Sequence, residues 1–562
     1  MSEGALSPAR TEADLDRLGR ERFDVLIVGG GIVGAGAALD AASRGLSVAL
    51  IEAQDFAAGT SSRSSKLIHG GLRYLQMFDF ALVREALRER SVLLEVAPHL
   101  VHPVRLVFPL RRRVLERAYV GAGVTLYDAL ARASERGRRT ARAFPLHDQL
   151  SKSETLARVP ALSDEHLVGA IEFSDAQVDD ARYVLAVVRT AVAHGAVALS
   201  RTEAVGLLRE GERVVGVRAR QVESETELEV RARAVVFATG VWSAASAQLL
   251  GSSPPLALRP SKGVHLVVPR ERIASSRALI LPTDKSVLFV LPWGEHWIVG
   301  TTDTPWRHQL ARPAASAGDI RYLLATLNRV LRAPVGRADV ESVYVGLRPL
   351  IAAGAQETTK LSREHAVTRL APGLVAISGG KYTTYRVMAK DVIDAAHAEL
   401  GGAVPPSRTE TVSILGAGPR PPANDWGPIQ PAERDRLSHR YGTLASEVVA
   451  ATKTDLAARE RIGGYLAAEL AYAVTHEGAR HLDDVLVRRT HVAMESPDRG
   501  HEAASAAARV IAPLLGWSEG TVEREVAAYR AAVGAELQAE QRASDDEAAA
   551  ALAAVPTLLA RP

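Results

Sequence analysis

The hydrophobic and polar positions of the chain first become regular at Phe23. There the apolar run FDVLIV gives way to the glycine turn GGGIVGAG, then to AALDAASRG, then to a second apolar run, LSVALIE. This order predicts strand, tight turn, helix, strand. The residues before it, 1–22, are polar and mixed in charge and read as a lead-in. Residues 56–76 are rich in Gly, Ser and basic side chains, and Phe80 to Leu94 carries apolar positions at helical spacing. Farther on, stretches such as AVALSRTEAVGLLREGERVVGVRAR alternate β-branched runs with charged turns, the pattern of hairpins. A second alternating block, about 256–350, predicts a sheet-rich region, after which GLVAISGGKYTTYRVMAKDVIDAAHAEL returns to strand, glycine turn and long helix. A Gly/Pro-rich linker over 401–430 precedes residues 431–535, which read as helical, and 536–562 form an alanine- and acid-rich tail.

Composition narrows the function classes. At 562 residues, 47% hydrophobic and 24% charged, the chain is a globular protein of two or three domains and too apolar to be disordered. Its 68 basic and 65 acidic residues leave a net charge of +3, so no nucleic-acid partner is expected. The absence of cysteine excludes disulfides, thiolate zinc sites, iron–sulfur clusters, thiol nucleophiles and dithiol relays. No signal peptide is expected. The longest near-apolar run, Val25 to Leu39, contains five glycines and falls short of the roughly 20 residues a membrane-spanning helix needs. Peripheral membrane contact remains open, and the arginine run Arg111-Arg112-Arg113 is one place for it. No metal site is expected: His476 and His481 suggest a zinc motif, but five residues of helix turn them about 140° apart. Lysines number only eight, so Lys66, Lys262 and Lys381 stand out by rarity.

Gly29-x-Gly31-x-x-Gly34 lies between the first strand and the first helix, and Glu52 ends the next strand. Glycines there allow the tight turn and the close approach of a pyrophosphate to free N–H groups at a helix N-terminus. A carboxylate at Glu52 suits the hydroxyls of an unphosphorylated ribose. Two later strands end in the turns Thr239-Gly240 and Gly379-Gly380, so the chain returns to its first domain after two long excursions. An extended cofactor touched by several segments fits this best, and we read it as FAD, with a discontinuous NAD enzyme as the alternative. The expected fold is an α/β FAD-binding Rossmann-like domain with discontinuous segments, a sheet-rich substrate domain and a helical C-terminal domain. The flavoprotein core spans 23–400, with FAD-binding segments at about 23–100, 170–250 and 345–400.

Beyond this point the residues resemble a known family. GTSSRSSKLIHGGLRYL (59–75), EFSDAQVDDARYV (172–184), FATGVWS (237–243), YVGLRPL (344–350), LSREH (361–365), SGGKYTTYRVMAKD (378–391) and YAVTHEGARHLDDVLVRRT (472–490) are together similar to the aerobic, quinone-linked, FAD-dependent glycerol-3-phosphate dehydrogenases. The resemblance implies hydride transfer from C2 of sn-glycerol 3-phosphate to flavin N5, giving dihydroxyacetone phosphate, with electrons passed to a membrane quinone. It implies a cytoplasmic protein bound peripherally to the inner membrane. The 472–490 segment is read as cap structure or as a homodimer contact.

Carried over residue by residue, the family motifs assign Arg348 and Lys381 to the reacting end of the substrate and Arg363 toward its phosphate. Arginine's planar fork and lysine's mobile charge both suit a phosphorylated polyol. Arg73 and Tyr74 are expected to shape the pocket, and Ser65 and Lys66 to face the cofactor. His69 and His265 compete for the role of base, since an imidazole titrates near neutral pH. Three alternatives stay open at this stage: an oxidase of glycerol 3-phosphate that uses oxygen, a related amine or hydroxy-acid flavin oxidase, and a non-catalytic flavin-binding module.

Overall fold

The computed structural model describes residues 3–71, 79–111, 115–140, 143–248, 258–283, 287–351, 364–403, 405–422, 426 and 429–555. Arg73, Tyr74, Arg363, Arg112 and Arg113 lie outside the described residues. Residues 1–22 are more than a lead-in. Ser7 caps a helix, α1 (Pro8–Arg20), whose Leu18 is fully buried and whose Arg10 pairs with Asp14 four residues on. Its charges hide an apolar edge one residue in three or four wide, which a reading by composition passes over.

The first sheet is built on β1 (Arg22–Val28) and β2 (Val48–Ile51), joined through α2 (Ile32–Ser43). β1 pairs in parallel with β2 on one side and with β10 (Glu227–Phe237) on the other. β7 (Val197–Leu199) extends the sheet beyond β2 and β18 (Leu374–Gly379) beyond β10, both in parallel. β17 (His365–Ala371), β8 (Thr202–Glu210) and β9 (Arg213–Gln221) complete it as antiparallel strands. Helices α2, α6 (Asp180–Ala193) and α9 (Tyr385–His397) cover one face, where Val25, Ile27, Leu39, Val188 and Val392 are buried together. A central strand buried on both faces must be nearly all apolar, which is why Val25–Val28 of β1 and Ala234–Phe237 of β10, where the two strands pair, read as continuous hydrophobic runs.

The second sheet holds β3 (Leu67–Ile68), β4 (Val101–Leu110), β5 (Asp148–Ser151), β6 (Gly169–Val178), β11 (Leu258–Pro269), β12 (Ala278–Pro282), β13 (Val287–Trp293), β14 (His296–Gly300), β15 (Thr304–Pro305) and β16 (Ser342–Ile351). Its long antiparallel pairs are β4 with β6 and β11 with β16. Helices α3 (Phe80–Val96), α4 (Leu115–Glu135), α5 (Lys152–Arg158), α7 (Ser243–Gln248) and α8 (Ala317–Asn328) lie in its connections. The C-terminal part consists of α10 (Pro431–Tyr441), α11 (Ala445–Thr454), the short hairpin β19 (Arg461–Ile462) and β20 (Tyr465–Leu466), α12 (Ala467–Thr475), α13 (Val492–Glu495), α14 (Ala503–Leu515) and α15 (Glu519–Ala539). The tail is folded too: α16 (Asp545–Ala553) packs back on α15 with Ala548 and Leu552 buried.

Buried charge joins the C-terminal part to the first domain. Asp55 receives Arg489 through both carboxylate oxygens, at 2.6 and 2.7 Å, and Arg488 at 2.6 Å. Arg201 reaches Asp484 at 2.8 Å, and His481 lies between Glu525 at 2.8 Å and Glu223 at 3.2 Å. Burial opposes protonation of His481, but its bonds to Glu223 and Glu525 push it up to about 9. An unfolded histidine titrates near ~6.5. The stabilisation from this raised value is therefore complete below about pH 6.5 and is lost as pH rises through about 9. Chemical denaturation at pH 6, 7.5 and 9 should show the wild type losing more stability across that range than His481→Gln. Parallel curves for the two proteins would contradict this.

Candidate active site

A cavity of about 1270 Å³ runs between the two sheets. At one end it is floored by the glycine turn. Gly29 has φ +113°, and a Cβ on Gly34 would sit 1.8 Å from the carbonyl oxygen of Gly29, so only glycine lets α2 start this close to β1. The N–H of Ile32 donates to Ser61 Oγ at 3.0 Å, tying the segment 60–68 to the helix start. Glu52 accepts one backbone N–H on each oxygen, from Gly30 at 2.6 Å and Gln54 at 2.7 Å. Burial raises its pKa while these two donors lower it. Its remaining lone pairs are free for a diol.

This end fits FAD. Gly29, Gly31, Glu52, Thr239, Gly240, Gly379 and Gly380 all line the same cavity, although they come from separate strand ends. Thr239 Oγ1 is buried there without a hydrogen-bond partner among the described residues, a hydroxyl that a bound polar group would satisfy. Gly34 shapes the turn from behind.

The other end is built on β11 and β16. Their register sets Ser261 opposite Arg348 and His265 opposite Tyr344. Arg348 Nη2 donates to Thr301 Oγ1 and to the carbonyl of Thr302, both at 3.1 Å, and Nη1 lies 3.7 Å from Asp303. A Cβ on Gly263 would come within 2.6 Å of Arg348 Nη2, so the glycine makes room for the guanidinium. The fork is fixed before any ligand arrives, with its side chain 20% exposed. His265 stacks on Tyr344 with centroids 4.6 Å apart, and its Nε2 meets Ser65 Oγ at 2.8 Å. Burial, then Arg348 and Lys66, keep its pKa well below the ordinary range, so the ring is neutral. His69 is half-buried on the cavity wall, with its backbone N–H donating to Thr383 Oγ1 at 3.2 Å. Lys381 also lines the cavity, following Gly379 and Gly380 at φ +78° and +83°.

One expected cofactor residue points elsewhere. Lys66 does not line the cavity: its Nζ is 2.5 Å from Asp180 Oδ1 and its side chain is buried behind the wall. Ser64, Ser65 and Leu67 line the cavity, while Lys66, with φ +56°, turns its side chain away from it toward Asp180. Asp180, which also accepts from Ser64 N and Oγ at 2.9 and 2.7 Å, anchors the whole segment to the start of α6.

Two residues that build this site escaped the sequence reading, Asp180 behind the wall and Arg63 on it. Asp180 sits in a stretch quoted above for its pattern alone. Arg63 lines the cavity from the segment 60–68, and burial pushes its guanidinium down to about 10. In a chain with so many arginines, no local signal separates it from the solvated ones.

Among the described residues no helix is long and apolar enough to cross a membrane. His476 and His481 go to different neighbours: His476 stacks on Tyr472 at 4.2 Å, and His481 joins the two glutamates described above.

Comparison with known proteins gives consistent matches. The family model "FAD dependent oxidoreductase" matches residues 24–394, and that of the "C-terminal domain of alpha-glycerophosphate oxidase" matches 383–522. Glycerol-3-phosphate dehydrogenase 2 of Mycobacterium tuberculosis is 49% identical over 98% of this chain and 95% of its own. The mitochondrial glycerol-3-phosphate dehydrogenase of Homo sapiens is 35% identical over 91% of this chain and 73% of its own. The crystal structure of glycerol-3-phosphate dehydrogenase from Bacillus halodurans, complexed with FAD, superposes with a TM-score of 0.76 at 28% identity, covering 95% of this chain and 98% of that one.

Proposed function

The chain belongs to the FAD-dependent oxidoreductase family, among its glycerol-3-phosphate dehydrogenases, and from that premise we propose how its own residues divide the reaction. The protein is an enzyme that uses FAD to oxidise glycerol 3-phosphate to dihydroxyacetone phosphate. The observation that carries the division of roles is the preset Arg348 fork, aimed into a cavity whose far end has the glycine turn and Glu52.

When bound, FAD would supply the acceptor for the hydride, with its two electrons, that leaves the C2 carbon. The N–H of Gly31 at the start of α2 and the hydroxyl of Ser61 would hold its pyrophosphate, and Glu52 would accept from its adenosine ribose. Thr239, Gly240, Gly379 and Gly380 complete the cofactor wall. Arg348 and Lys381 donate to the substrate at its reacting end, where fixed positive charge favours the alkoxide character that develops as the hydroxyl proton leaves. The family motifs alone assign Arg363 to the phosphate and Arg73 and Tyr74 to shaping the pocket.

His69 takes the C2 hydroxyl proton. His265 is unsuited to that step, because burial and two neighbouring cations disfavour the imidazolium it would become and Ser65 occupies its Nε2. It serves instead as a neutral wall of the substrate pocket. The pH dependence of kcat/KM tests this. His69→Asn should abolish the fall in rate at low pH and lower the rate by about 10²–10⁴. His265→Asn should keep that limb. A limb that survives in the first variant and vanishes in the second would transfer the role to His265.

The electrons pass to a membrane quinone, and the protein meets the cytoplasmic face of the inner membrane peripherally. High salt should release activity from washed membranes. Activity found wholly in the first soluble fraction, with rapid peroxide formation in air, would favour oxygen as the acceptor.

A further inference from the structure

Lys262 has no part in the chemistry above, although it lies on the strand that carries His265. Its side chain is fully buried. Its Nζ lies 2.6 Å from Asp319 Oδ2, 2.5 Å from Asp545 Oδ1 and 5.3 Å from the centroid of Trp306. A buried ammonium persists only where it is paired. The two carboxylates are not equivalent. Asp319 Oδ2 already caps α8, accepting from Ser316 N at 2.9 Å and Ser316 Oγ at 3.0 Å. Asp545 comes from the first turn of α16, in the C-terminal tail.

The tail is seated in that position by other contacts. Ala317 N donates to the carbonyl of Arg542 at 2.8 Å, and Arg337 pairs with Glu540 at 2.8 Å. Ala548 and Leu552 of α16 share a small core with Leu347 and Val241. Leu347 precedes Arg348, and Val241 follows Gly240.

Side chains alternate along β11. Gly263 and His265 face the cavity, while Lys262 faces α8 and the tail. The backbone links the two sides: Arg348 Nη1 donates to the carbonyl of Lys262 at 3.5 Å and to Ser261 Oγ at 3.4 Å. We propose that Asp545 is a positioning residue, which fixes β11 through Lys262 and so sets Arg348 and His265 at the reacting end of the cavity. This rests on the substrate role given to Arg348 above.

Asp545→Asn and Asp545→Glu, measured beside wild type, test it. The asparagine variant keeps size and helix position but loses the charge. It should lower kcat/KM for glycerol 3-phosphate at least fivefold, with FAD content and thermal midpoint unchanged. The glutamate variant should recover at least half of the lost activity. Wild-type kcat/KM in Asp545→Asn would overturn the proposal. So would a loss that only follows lost FAD or lost folded protein, or a glutamate variant as impaired as the asparagine one. Inactivity of the wild type on glycerol 3-phosphate would instead overturn the functional reading on which the proposal stands.

Discussion

Arg348→Lys is expected to lower kcat/KM for glycerol 3-phosphate by at least tenfold, about 1.4 kcal/mol of transition-state stabilisation. Lysine keeps the charge but not the planar fork that now donates to Thr301 and Thr302 and stands beside Asp303. Its single ammonium cannot keep those bonds and also present a second donor to the substrate. FAD content and melting should change little, because the guanidinium is partly exposed and the glycine turn lies at the other end of the cavity. Rate, flavin occupancy and thermal midpoint on one preparation separate the possibilities. Unchanged turnover at low substrate would remove Arg348 from the site. Flavin and stability lost together would make it a structural residue.

Arg489→Leu should act in the opposite way, on stability and cofactor retention first. Arg489 is fully buried and grips both oxygens of Asp55, and it also donates to the carbonyl of Glu477 at 2.9 and 3.0 Å. Leucine would leave Asp55 buried with Arg488 as its remaining cation. Breaking such a pair costs about 3–5 kcal/mol, a large share of the roughly 5–15 kcal/mol that holds a domain folded. The expected drop in thermal midpoint is about 10 °C. The effect should reach FAD because Asp55 closes the turn that carries Glu52. Ala58 N donates to the carbonyl of Asp55, and Ala57 N to that of Gly30, both at 3.0 Å. Fluorescence of released FAD during a melt, followed beside circular dichroism, checks both parts. A variant that melts like wild type and keeps its FAD would contradict the account of this clamp.

The parts of the molecule legible in the sequence are those in which cause and effect are close along the chain. β1, the glycine turn, α2, β2 and Glu52 follow one another within thirty-odd residues, and each has a local signature, so the nucleotide end could be read directly. Arg348 and Lys381 stand in family motifs and His265 is a candidate base by its imidazole; all three line the cavity, Arg348 and His265 from strands and Lys381 from the turn after β18. The pairing of β11 with β16 that makes them neighbours spans a long excursion and leaves no local trace. Lys66 shows the limit of motif reading. Its neighbours face the cavity, but whether a lysine turns toward a cofactor or away depends on Asp180, more than a hundred residues later. The same holds for α1, whose buried edge makes sense only against the sheet, and for the tail. Alanine and acid are all that the sequence shows there, yet Asp545 meets a buried lysine 283 residues earlier.

The central claim is that this cavity delivers electrons from glycerol 3-phosphate to FAD. Its most direct test is an anaerobic titration of the FAD-loaded protein with glycerol 3-phosphate, following the visible absorbance of the flavin. The account predicts bleaching on addition of the substrate, with dihydroxyacetone phosphate formed in equal amount to the flavin reduced. Protein that holds FAD and is bleached by dithionite, but is left unchanged by glycerol 3-phosphate, would contradict it.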